Sequence, residues 1–177
     1  MNDGGAHKKD DRNQGERERQ VWPERVQLVI NTQRLREQRF SDAEVVAFWG
    51  KAVESAGDAL LAGMSVDGAL RSAYDAGHMA ALALLALRQL RTGSGQGHHE
   101  MAFYAAAAFG DAGLEDMVAD SEEVRRLRRG SMYDPVIAGE KERTMALAWM
   151  RKTLPAIRDA LVKTKPALEA SLAALCC

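Results

Sequence analysis

Arg125, Arg126, Arg128 and Arg129 crowd into about a turn and a half of helix, with Ser131 and Tyr133 just beyond them. Helical spacing puts Arg126, Arg129 and Tyr133 on one face. Guanidinium groups bind phosphate in a two-pronged geometry, and a nearby tyrosine can hydrogen-bond to or stack on a base. Arg125, Arg126, Arg129, Ser131 and Tyr133 are therefore candidates for an anion or nucleic-acid site. A simpler electrostatic account competes: cations close to a helix C-terminus gain about 0.3–1 kcal/mol each from the helix dipole.

Proton transfer near neutrality suits an imidazole, and His98 and His99 are the candidates, with Arg126 as the phosphate-stabilising partner. The two histidines are adjacent, so on a helix they diverge by about 100° and do not easily share one metal. Arg91 precedes His98 with six residues between them, but Gly93-Ser94-Gly95-Gln96-Gly97 lies in that interval and loosens the geometry. Asp75 and His78 form one carboxylate–histidine pair at helical spacing, whereas a di-iron site needs two such pairs and further carboxylates. Cys176 and Cys177, adjacent at the end of the sequence, cannot staple distant segments or supply paired zinc ligands. No metal and no cofactor are expected.

These groups must be positioned by helices, because no run of alternating β-branched residues appears anywhere. The expected fold is all-α, an up-and-down bundle of about five helices behind a charged arm over residues 1–20 that buries too little to order itself. The bundle is assigned to 21–168 and a tail to 169–177. Trp22, Val26, Val29, Ile30 and Leu35 predict a first helix from Trp22 to about Gln38, with Pro23 in its first turn. Ser41 and Glu44 form a capping box for a second, striped by Val45, Phe48, Trp49, Ala52, Val53, Ala56 and Leu60 and ended by Gly63. Ser65 caps a long central helix to about Thr92. An alanine-rich helix follows from His98 to about Phe109. Asp120 and Glu123 are expected to cap the arginine helix, which must stop near Asp134 because of Pro135. The last helix runs from about Gly139 to Lys163, with Met145, Leu147, Ala148, Met150, Leu154, Ile157 and Leu161 inward and a kink expected at Pro155.

The 177 residues carry 24 Lys and Arg against 25 Asp and Glu, so no global field draws in nucleic acid and any anion site must be local. The longest apolar run, Met79 to Leu87, is too short to cross a bilayer, and the first residues lack a secretory signal. A cytoplasmic location without membrane attachment is expected.

In order and spacing, the Ala-Tyr-Asp-Ala stretch at Ala73 to Ala76, the Gly-His-His-Glu at Gly97 to Glu100 and the arginine-rich segment ending in Tyr133-Asp134 resemble the HEPN superfamily, over roughly residues 41–163. The resemblance implies a small helical domain from prokaryotic toxin–antitoxin and defence systems, acting as a homodimer, with an RNA or nucleotide ligand and a nucleotidyltransferase-like or other protein partner. Active members are metal-independent RNases in which an arginine and a nearby histidine meet across the dimer, often with a tyrosine after the histidine. Aligning that tyrosine with Tyr133 puts the arginine at Arg126 and Ser131 where the histidine belongs. A serine hydroxyl alone cannot serve as the base near neutrality. The expectation is therefore a non-catalytic binding module. The alternatives are an RNase that borrows His98 or His99, and a plain protein-interaction module without an anion site.

Overall fold

The computed structural model describes residues 24–93, 98–109, 114–133 and 138–175, except the side chains of residues 25, 98–101, 115, 116, 119 and 130–133. The arm over 1–20, Trp22 and Pro23 lie outside the described residues, as do Cys176 and Cys177. In chain order the elements are α1 (Glu24–Asn31), β1 (Leu35–Glu37), α2 (Asp42–Ala59), α3 (Val66–Leu87), β2 (Leu90–Thr92), α4 (His98–Ala108), α5 (Leu114–Tyr133), α6 (Glu140–Thr164), a 3-10 turn (Pro166–Leu168) and α7 (Glu169–Ala173). The expected helical bundle is what forms, with a two-stranded antiparallel ribbon of β1 and β2 added to it. No helix among the described residues is long and apolar enough to cross a membrane.

The capping box of α2 is complete. Ser41 Oγ accepts from the Glu44 amide at 3.3 Å, and the Glu44 carboxylate accepts from the Ser41 amide at 2.7 Å. The Ser41 amide first, and then the Ser41 hydroxyl, which donates to the same carboxylate oxygen at 2.8 Å, hold the Glu44 carboxyl below its ordinary value of 4.5. Glu142 is held down in the same way by the Gly139 amide at the start of α6. A carboxyl depressed in the folded chain contributes stability above its unfolded-state value and loses that contribution as pH falls through the depressed value. Both helix starts should therefore weaken below about pH 4.5. Ser41→Ala should cost about 1 kcal/mol at pH 7 and less at pH 3, read from urea midpoints. An equal cost at both pH values would contradict a role for the Ser41 hydroxyl in holding the Glu44 carboxylate.

The central helix is α3, which packs most extensively against α2 and α6 and also meets α4 and α5. It can do so because Ala69, Ala73, Ala76, Ala80, Ala81, Ala83 and Ala86 are all buried on it, and small side chains let neighbouring helices approach closely. Gly77 carries this furthest, since a Cβ there would run into the indole of Trp149 on α6. Trp149 also donates from Nε1 to the Met117 carbonyl on α5 at 3.4 Å, tying three helices together. Its ring joins Tyr74 and Phe103 in one aromatic cluster, with centroid separations of 6.3 and 5.7 Å.

Several expected boundaries move. The first helix ends at Asn31, and Gln33, with φ of 59°, turns the chain into β1, so Leu35 is buried as a strand residue. The central helix ends at Leu87 rather than Thr92, where Gln89, with φ of 58°, makes the matching entry into β2. The arginine helix begins at Leu114, so Asp120 and Glu123 lie inside it and cap nothing. Its apolar stripe of Leu114, Met117, Val124 and Leu127 extends upstream of those two acids. On α2, Leu60 falls just past the last helical residue and is 47% exposed. On α6 the inward face is Ala146, Trp149, Met150, Thr153, Ile157, Ala160 and Leu161. Met145 and Ala148 face out, because Trp149 takes the inward direction and fixes the rotation of the helix. The helix is continuous through Pro155, which is exposed. Residues 169–173, set apart in the sequence as a tail, form α7, and its Leu172 is buried and accepts from the Trp49 indole at 3.3 Å.

Candidate anion-binding face

The arginine segment sits in the middle and second half of α5, whose buried side is Leu114, Met117, Ser121, Val124 and Leu127. That rotation divides the four arginines. Arg126 and Arg129 are exposed, three residues apart on the outer face. Arg128 turns inward, where its guanidinium lies 3.2 Å from the Asp75 carboxylate and 5.1 Å from the centre of the Tyr74 ring, both on α3. Arg125 is half-buried and is not a free cation. Arg128 therefore acts as an anchor that sets which way α5 faces.

Asp75 and His78, paired by sequence spacing, go to different neighbours. Asp75 is engaged by Arg128, and His78 is buried in the aromatic cluster, stacked on Tyr74 at 6.2 Å and tilted against Phe103 at 6.0 Å.

The outer face has a feature that the arginines alone do not announce. Glu123 grips Arg126 with both oxygens, at 2.8 and 2.6 Å. The hydrogen bond from Arg126 holds the Glu123 carboxyl below its ordinary value, and the pair stays ionised at neutral pH. An incoming phosphate must compete with this carboxylate. The signal was present in the sequence as an acid three residues before an arginine on a helix. Arg129 has no ion pair among the described residues. Because α5 runs on to Tyr133, these arginines precede its last turn, which weakens the helix-dipole account of their clustering.

Ser131 and Tyr133 belong to the last turn of α5, and His98 and His99 to the first turn of α4, but their side chains lie outside the described residues. Helices α4 and α5 pack on each other. The helix that begins with the histidines is thus a neighbour of the helix that carries the arginines.

What this face can do chemically is bind an anion with two guanidinium groups, one held by a carboxylate and one not. No family model matches the chain, and neither curated proteins nor solved structures yield a match.

Proposed function

We propose that the chain is a HEPN-like helical binding module that takes the phosphates of RNA or a nucleotide on Arg126 and Arg129, without cutting them. It would work as a cytoplasmic homodimer with a protein partner, such as a nucleotidyltransferase-like protein, in a toxin–antitoxin or defence setting. The observation that carries the reading is the division of the arginines: Arg128 is spent on Asp75 and Tyr74, and this fixes Arg126 and Arg129 outward. Ser131 occupies the position where the resemblance calls for a histidine, which argues against catalysis by this helix alone.

Filter binding of single-stranded RNA at low salt tests it. Replacing Arg126 and Arg129 by alanine should weaken retention at least tenfold, since each charge-assisted contact is worth roughly 1.5–3 kcal/mol, and should flatten the salt dependence. Glu123→Gln should strengthen retention by releasing Arg126 and removing a negative charge. RNA recovered after incubation should be uncut and carry no 2′,3′-cyclic phosphate ends. Light scattering should give a dimer.

A second reading is favoured by the adjacency of the two helices: a metal-independent RNase using Arg126 with His98 or His99. Cleavage in chelator that disappears in His98→Ala or His99→Ala would establish it in place of the binding module. Absence of RNA and nucleotide binding at low salt would reject both and leave a protein-interaction module.

A further inference from the structure

The ribbon carries a second basic surface, separate from α5. In its register Arg36 stands directly opposite Arg91, flanked by Leu35 opposite Thr92 and Glu37 opposite Leu90. Gly93 donates to the Arg34 carbonyl at 2.7 Å and Gln38 to the Gln89 carbonyl at 2.9 Å, so pairing extends one residue beyond each end. By the two-residue period of strands, Arg34, Arg36 and Arg91 share the outward face, while Leu35 and Leu90 point to the core. All three arginines are exposed, and none has a carboxylate partner among the described residues.

Like charges directly opposite each other destabilise a strand pair. Both strands are, moreover, entered through a glutamine in the left-handed region, which costs a side-chain-bearing residue roughly 1 kcal/mol or more. Gln89 offsets part of this by clasping Phe40, accepting from its amide at 2.9 Å and donating to its carbonyl at 3.1 Å. Unfavourable features collected at one short ribbon indicate a task other than stability.

Beside the ribbon lies an open groove of about 250 Å³, with Phe40, Phe48, Leu82 and Leu90 as its apolar lining and Arg91 and Gln38 among its polar residues. Phe40 and Phe48 meet edge to face at 6.1 Å. Gln38 accepts from Arg91 Nη1 at 2.9 Å, which holds that guanidinium at the groove. A groove of this size suits one flat ring system rather than a whole cofactor.

We propose that the ribbon is a nucleotide site, in which Arg36 and Arg91 bind a phosphate and the groove beside them takes the attached base against Phe40 and Phe48. Charge complementarity selects the phosphate, and the aromatic lining selects a base-bearing phosphate over a bare one. The α5 reading is not needed for this site.

Calorimetry on the full chain with inorganic phosphate, AMP and a short single-stranded oligoadenylate tests it. AMP should bind at least about fivefold more tightly than phosphate, given what base–aromatic contacts contribute. Arg36→Glu should weaken AMP binding at least about tenfold. It should also leave the melting temperature unchanged or raise it by roughly 1–3 °C, because an opposite-charge pair replaces a like-charge one. Arg91→Gln, which adds no new charge, should also lose AMP. Amides of 34–38 and 89–93 should gain hydrogen-exchange protection when AMP is added, and Arg126→Ala with Arg129→Ala should leave that protection intact. Tighter binding of oligoadenylate than of AMP would assign the site to a nucleotide unit within a strand, and the reverse to a free nucleotide. Unchanged AMP affinity in both ribbon variants, phosphate binding as tightly as AMP, or loss of binding only in the α5 variant would each overturn the proposal.

Discussion

Gly77→Ala should destabilise the fold by about 1–3 kcal/mol, the usual cost of overfilling a packed core. The sign is informative, because the same change in a helix interior is otherwise stabilising by roughly 0.5–1 kcal/mol. The reason for the reversal is Trp149, whose six-membered ring occupies the place where the new methyl group must go, with Tyr74 and Phe103 preventing its retreat. Trp149→Phe in the same background should recover part of the loss, because a smaller ring vacates that space. The two changes should therefore couple favourably by about 1 kcal/mol or more in a double-mutant cycle of urea midpoints. Simple additivity, or a stabilising Gly77→Ala, would show that α3 and α6 are not in contact at this point.

Truncation after Lys165 should cost more. Lys165 itself stays, and with it the 2.6 Å ion pair to Asp42 at the start of α2. What goes is Leu168 and Leu172, 4% and 0% exposed, each worth about 1.5–3 kcal/mol when buried. Trp49, 2% exposed, also loses the carbonyl its indole donates to. A loss of about 3–6 kcal/mol corresponds to a melting temperature lower by roughly 10–20 °C for a chain of this length. Water reaching Trp49 should shift its emission to the red. Melting within about 2 °C of the full chain would mean that α7 is an appendage.

Much of the bundle was legible because its helices carry their own start signals. Ser41 with Glu44 and Ser65 announce α2 and α3 through side-chain chemistry confined to four residues, and both caps form as the spacing requires. Where the signal depended on distant partners, sequence reasoning failed. Glu169 to Ala173 is too short to show a helical period, and its packing depends on α2, where the Trp49 indole, 123 residues away, donates to the Leu172 carbonyl. The α5 start was missed because Asp120 and Glu123 look like caps, whereas the stripe from Leu114 overrides them. At the candidate site, Arg126 and Arg129 were legible from helical periodicity. The inward turn of Arg128 was not, since Asp75 is more than fifty positions away. The ribbon was illegible for the same reason. Three-residue strands have no periodicity of their own, and glutamine gives no hint of a left-handed backbone.

The ribbon also bears on how the chain reaches its fold. Its strands are separated by the whole of α2 and α3, so pairing them in an open chain would require closing a long loop before any contact repaid it. The α2–α3 hairpin removes that obstacle: once its two helices have docked, the residues before α2 and after α3 emerge side by side. Pairing Leu35 with Thr92 then closes a gap of a few residues. The ribbon should consequently appear after the hairpin in refolding, at a rate set by helix docking rather than by strand search. Slowing the hairpin should delay both together.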